Sequence, residues 1–192
     1  EEALDKATRM LRIHEQCACR FTRFTITRPD QIAWARRFAE VAARSGQRLV
    51  MQLHNGTLTD TVPHALETLK QIDRPNVGLA FEACHLMFAG APRYAEAIEA
   101  LREHIFCVSL QNYKPASPAD APETTIRIHD RPYVRARPGD PDGIDFAEVF
   151  GALRSIQFSG FATVMADALP DEDRAALARG YLDYCRSLCE AS

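Results

Sequence analysis

NVGLAFEACH, residues 76–85, is a short apolar run that ends in an acid, Glu82, with a histidine, His85, three residues further on. Its length and flanking breakers read as a buried strand rather than one face of a helix. Polar groups at the end of such a strand carry either a metal or proton-transfer site or a plain polar turn. Which of these applies depends on what the other strand ends supply.

Four more runs of the same kind occur at RFTRFTI (20–26), RLVMQLH (48–54), IFCVSLQ (105–111) and FATVMAD (161–167), with a weaker candidate at TTIRIH (124–129). Helical patterns separate them. Residues 30–45 follow Pro29 and stop at Gly46, which fits proline at helix starts and glycine past helix ends. Residues 60–72 stripe with Val62, Leu66 and Leu69, with Thr59 or Asp60 as cap. Residues 92–104, 145–156 and about 171–189 give three more helices, and the charged opening EEALDKATRM is a helix former. Strands that alternate with helices and are apolar nearly throughout indicate an α/β fold with a parallel sheet. Residues 1–192 read as one domain. Five or six strands are too few for a closed eight-stranded barrel, which leaves a doubly wound sheet or a barrel without its first βα units.

The chain has 192 residues, 46% hydrophobic and 26% charged, with a formal net charge of −3. That balance speaks against a nucleic-acid partner. No apolar stretch reaches the roughly 20 residues of a membrane span, and the start lacks a signal-peptide pattern. Cys17, Cys19, Cys84, Cys107, Cys185 and Cys189 have no metal-ribbon spacing and read as reduced thiols of a cytoplasmic protein. No strand is followed by a glycine-rich nucleotide-binding turn. KPASPADAPE (114–123) reads as a Pro/Ala-rich loop.

In parallel α/β folds, chemistry collects at the carboxyl ends of the strands. Here those ends offer Gln52 and His54, Glu82 with His85, Ser109 and Gln111, and Met165 and Asp167. Strand alternation places His54 on the face of Gln52 and Asp167 on the face of Met165. The loop RARPGDPDGIDF (135–146) brings Arg135 and Arg137, either as pocket cations for a carboxylate or phosphate or as solvated loop residues.

The ordered segments LVMQLHNGTLTDT, PNVGLAFEACH, IFCVSLQNY, RPGDPDGIDFAEVFGAL and GFATVM resemble the xylose-isomerase-like TIM-barrel superfamily, the sugar phosphate isomerases and epimerases. The resemblance covers the chain from about residue 20 onward. It implies a (β/α) barrel in which relatives begin with roughly two further βα units. It also implies a divalent-metal site (Mn, Co, Zn or Mg) built from a Glu, an Asp, a His and a second Glu on separate strand ends. Those positions fall on Gln52, Glu82, Ser109 and Met165, with the histidine of the family's Asp-x-x-His motif kept as His85. Gln52 offers a neutral carbonyl and Met165 a thioether, and neither serves as a general base near neutral pH.

Two readings stay open. One is an enzyme acting on a small polyhydroxylated or keto-acid substrate. Glu82 and His85 would be catalytic, Gln52, His54, Gln111 and Arg137 would contact substrate, and any metal would be held by Glu82, Asp167 and His54. The other is a barrel that has lost its metal and serves as a binding or assembly partner of another protein. The sequence also leaves a homo-oligomer open.

Overall fold

The computed structural model describes residues 2–90, 93–169 and 172–190. The chain divides into two compact units, one made of residues through Phe81 with Leu101–Cys107, the other of Glu82–Ala100 with the residues from Val108 onward.

The first unit opens with helix α1 (Glu2–Gln16) and strand β1 (Phe21–Phe24), then helix α2 (Ile32–Arg44) and strand β2 (Arg48–Gln52). Helix α3 (Val62–Ile72), strand β3 (Val77–Glu82) and the first half of strand β4 (Ile105–Leu110) follow. Pro29 opens a turn of 3-10 helix ahead of α2, and Gly46, at φ 68°, closes it in the left-handed region. The inner face of α2 carries Ile32, Ala35, Phe38, Ala39 and Ala42, all buried. Phe38 meets Phe24 of β1 edge-on, with ring centres 5.7 Å apart. β1 pairs with β2, and β2 with β3, in parallel register, Val50 lying opposite both Arg23 and Gly78. Val50, Ala80 and Phe106 form a buried cluster with Phe21 and Cys107 against it. Every residue of β3 is buried, as its unbroken apolar run predicts.

The second unit holds helix α4 (Ala83–Phe88), helix α5 (Tyr94–Ala100) and the second half of β4. Strands β5 (Tyr113–Pro115), β6 (Ile126–Ile128) and β7 (Arg131–Arg135) come next, then helix α6 (Phe146–Ser155), strand β8 (Phe161–Val164) and helix α7 (Arg174–Glu190). β5, β7 and β6 make an antiparallel sheet in that order.

The parallel strands run β1-β2-β3-β4-β8, in chain order. A doubly wound sheet would reverse direction at a switch point, whereas a (β/α) barrel adds each strand beside the last. The strand order therefore decides between the two architectures in favour of the barrel type.

Several local expectations are corrected. α3 is capped by Thr61, whose hydroxyl accepts from the His64 N–H, and not by Thr59 or Asp60. Thr59 is buried and donates instead to the Gln52 carbonyl at 2.7 Å. The run 161–167 is not a buried strand. β8 stops at Val164 and its first three residues are exposed, because β8 ends the strand order. Asp171, where the sequence suggests the last helix starts, lies outside the described residues, as does Pro92. Strand β5 overlaps the segment that reads as a Pro/Ala-rich loop, and β7 falls outside every run that reads as a strand.

Candidate functional site

In the second unit, β3 delivers Glu82 directly into α4, with no intervening turn. Glu82 stands at the N-cap position, but its side chain caps nothing. The carboxylate is fully buried and His85 nearly so. His85 Nε2 lies 3.8 Å from Glu82 Oε2, and the imidazole meets Phe88 edge-on at 5.5 Å between ring centres. Cys84, also buried, points its thiol at Glu82 Oε1 across 3.5 Å. Burial, reinforced by the negative charge of Glu82, holds that thiol well above the ordinary range. The sequence pairs Glu82 with His85 and reads Cys84 only as one of six reduced thiols. The signal for a third member was the spacing Glu-x-Cys-His itself.

A second group in the same unit gathers beyond the ends of β4, β7 and β8. Gln111 Nε2 donates to Asp167 Oδ2 at 2.6 Å and to the Tyr113 hydroxyl at 3.1 Å. Arg135 Nη2 reaches the same carboxylate oxygen at 3.2 Å. Arg137 pairs with Glu172. Gln111, Arg135, Arg137 and Asp167 line a small cleft with Met165 and Tyr181. Tyr181 is held by its hydroxyl on the Ala136 carbonyl at 2.9 Å, and burial pushes it up to about 12. The loop entering the cleft is fixed by buried Asn112. Its amide donates to the Arg137 carbonyl at 2.7 Å and accepts from the Ile144 N–H at 2.8 Å. Asn112 carried no signal in the sequence beyond its place after β4.

In the first unit, Gln52 ends β2 and its Oε1 accepts from Arg23 Nη1 at 2.8 Å. Arg23, inside the β1 run, was missed because a lone arginine in a strand reads as a solvent-facing residue. His54 is exposed, beyond the end of β2, and its Nδ1 donates to the Asn55 carbonyl at 2.8 Å. β2 ends at Gln52 and β8 at Val164, so His54 and Asp167 both lie just beyond their strands. Asp167 does not cap α7; Asp173 does so, accepting from Ala175 and Ala176 N–H groups.

The donor chemistry does not fit an oxygen-rich, four-strand metal site. The Gln52 oxygen already holds a guanidinium, the Asp167 oxygen holds another and an amide, and Ser109 and Met165 are neutral. Among the described residues, one group of three or more His, Cys, Asp or Glu has its ligand atoms within 4.8 Å of one another: Glu82, Cys84 and His85.

A 3-dehydroshikimate dehydratase of Bacillus anthracis is 31% identical to this chain over 64 residues, 33% of this chain and 23% of that protein. Among solved structures, a xylose isomerase domain protein from Planctomyces limnophilus aligns with a TM-score of 0.75 at 13% identity, covering 96% of this chain and 63% of the other. A D-allulose 3-epimerase from Methylomonas sp. aligns at 0.72 and 15% identity, covering 96% and 68%. Two further structures hold metals. One is a Mycobacterium smegmatis protein in complex with magnesium (TM-score 0.72, 15% identity, 99% and 68% covered). The other is a protein with a bound zinc atom (0.72, 16%, 97% and 68%). At these identities the likeness to solved structures is one of fold. The chain spans less than a quarter of the curated dehydratase and about two thirds of these structures. The family described as xylose isomerase-like TIM barrel matches residues 1–187, and the chain belongs to that family.

Proposed function

We propose that the protein binds a small polyhydroxylated or keto-acid molecule at the carboxyl ends of its strands and removes a proton next to its carbonyl group. That is the first step shared by epimerisation of a ketose and dehydration of a hydroxy-ketone. The observation that carries this reading is the buried Glu82 carboxylate 3.8 Å behind His85. Burial divides their roles. His85 keeps a small exposed edge and is the group that meets substrate. Glu82 stands behind it, orients the ring and stabilises its protonated form, so that the imidazole accepts and returns the proton. Gln111 and Arg137 give hydrogen bonds and charge for a substrate carboxylate or hydroxyl. The partner of Arg137 is displaceable, since an ion pair of partly exposed side chains contributes little.

The test is hydrogen exchange in heavy water, followed by nuclear magnetic resonance, with D-allulose and 3-dehydroshikimate offered to the full-length protein. Deuterium entering the carbon beside the carbonyl, slowed about 100-fold or more by His85→Asn, is the expected result. Arg137→Ala should weaken binding with less effect on the exchange rate. Absence of both binding and exchange would sink the reading and leave the second one, a binding or assembly protein without catalysis. What favours that second reading is the engagement of Gln52 by Arg23 and of Asp167 by Arg135, which neutralises two strand ends internally.

A further inference from the structure

We infer that Glu82, Cys84 and His85 form a binding site for a thiophilic divalent cation, zinc or cobalt, in place of the oxygen-rich site that the family's strand ends would build. The inference shares the Glu82–His85 pair with the proposed function but adds a sulfur ligand that the proton-transfer reading does not use.

The argument is one of donor type and spacing. A carboxylate, a thiol and an imidazole converge, all buried, with their ligand atoms within 4.8 Å of one another. Zinc–sulfur bonds of about 2.3 Å and zinc–nitrogen or –oxygen bonds of about 2.0 Å, at tetrahedral angles, set donor atoms roughly 3.3–3.6 Å apart. The Cys84 Sγ to Glu82 Oε1 separation is 3.5 Å, and the His85 Nε2 to Glu82 Oε2 separation is 3.8 Å. The sulfur–oxygen spacing matches that range and the nitrogen–oxygen spacing, to the other carboxylate oxygen, exceeds it by a few tenths of an ångström, a difference that a turn of either side chain closes. The thiol proton lies between sulfur and carboxylate, where the ion would sit. When a cation binds, the Cys84 S–H bond breaks, a metal–sulfur bond forms and the proton leaves to solvent, with no change in oxidation state. One sulfur donor also sets selectivity: magnesium and manganese favour oxygen ligands, while zinc and cobalt accept sulfur and nitrogen. A lone cysteine in an apolar core would explain the burial of Cys84. It would not explain why that cysteine shares its carboxylate partner with a histidine at ligand spacing.

Cobalt(II) chloride, added to the metal-stripped full-length protein under nitrogen, provides the test. One cobalt per chain should give a sulfur-to-cobalt charge-transfer band in the near ultraviolet, with about one proton released. Equimolar zinc should erase the band, and excess manganese should leave it. Cys84→Ala should remove the band and weaken zinc binding at least about tenfold, whereas the Cys17→Ser, Cys19→Ser double variant should keep it. Should Cys84→Ala fail to fold by circular dichroism, zinc-edge X-ray absorption on the unaltered protein decides instead, a sulfur neighbour at about 2.3 Å being expected. A band that survives Cys84→Ala, a cobalt spectrum without sulfur, or displacement of cobalt by manganese would overturn the inference. The deuterium-exchange experiment is run on the metal-stripped protein, because an ion on Glu82 and His85 would occupy the proton-transferring groups. Exchange without metal binding would refute this site and keep the proposed function, and metal binding without exchange would do the reverse.

Discussion

A β-carbon built on Gly78 would stand 2.6 Å from the Phe106 ring and 2.7 Å from the His104 carbonyl oxygen. One of those neighbours is backbone and the other belongs to the buried cluster with Val50 and Ala80, so neither yields cheaply. Gly78→Ala is expected to destabilise the protein by about 1–3 kcal/mol in urea unfolding; an unchanged midpoint would refute the close approach. The glycine was visible in NVGLAFEACH, but what it faces was not. The same holds for the cysteines, whose exposures differ sharply. Cys17, Cys19 and Cys189 are exposed, while Cys84 and Cys185 are buried. Burial holds both buried thiols above the ordinary range, Cys185 at about 11. Iodoacetamide at neutral pH should therefore label the three exposed thiols in the native protein, and Cys84 and Cys185 only after unfolding. Mass spectrometry of the labelled peptides reads this directly.

Helix α3 shows how an element's boundary escapes a periodicity argument. Three hydroxyl or carboxyl residues, Thr59, Asp60 and Thr61, precede it, and any of them suits a cap. The chain chose Thr61 because Thr59 is drawn to the end of β2 and Asp60 pairs with His64 at 2.7 Å. Thr61→Ala is expected to cost about 1 kcal/mol, and Asp145→Ala, which removes the cap of α6, a similar amount. Thermal unfolding of the two single variants checks both. The β6–β7 hairpin was missed for a related reason. Its two-residue turn is His129-Asp130, with φ of 48° and 61°, a geometry usually signalled by Asn-Gly. Replacing the pair with Asn-Gly should relieve that strain and raise stability by a few tenths to about 1 kcal/mol. A loss of stability would contradict the turn. Arg137 shows the same limit at the site: its presence in the loop was legible, but its fixing by Asn112 and its pairing with Glu172 depend on residues 25 and 35 positions away in sequence.

For the molecule as a whole, burial of groups that lose a proton at high pH sets an alkaline limit. Cys84, Cys185 and Tyr181 all have folded values raised by burial, the last two to about 11 and about 12. In the unfolded chain these groups titrate from about 8.5 for cysteine and about 10 for tyrosine. Below those values both states hold the protons and nothing is lost. As pH rises past them the unfolded state gives up protons first, so stability falls until the folded values are passed. Unfolding midpoints should decline steadily above about pH 9, and Cys185→Ala should reduce the slope; a flat profile to pH 11 would contradict the burial of these groups. Taken by itself, the sequence determined the α/β class, five of the parallel strands, the helices between them, the family and the Glu82–His85 pair, because each rests on local pattern or on residues close in the chain. Tertiary structure alone decided the strand order, the early ends of β2 and β8, the partners of Gln52 and Asp167 and the contact of Cys84 with Glu82. Those depend on which side chain a fold places within about 3–4 Å of another, a distance that residue spacing along the chain does not encode.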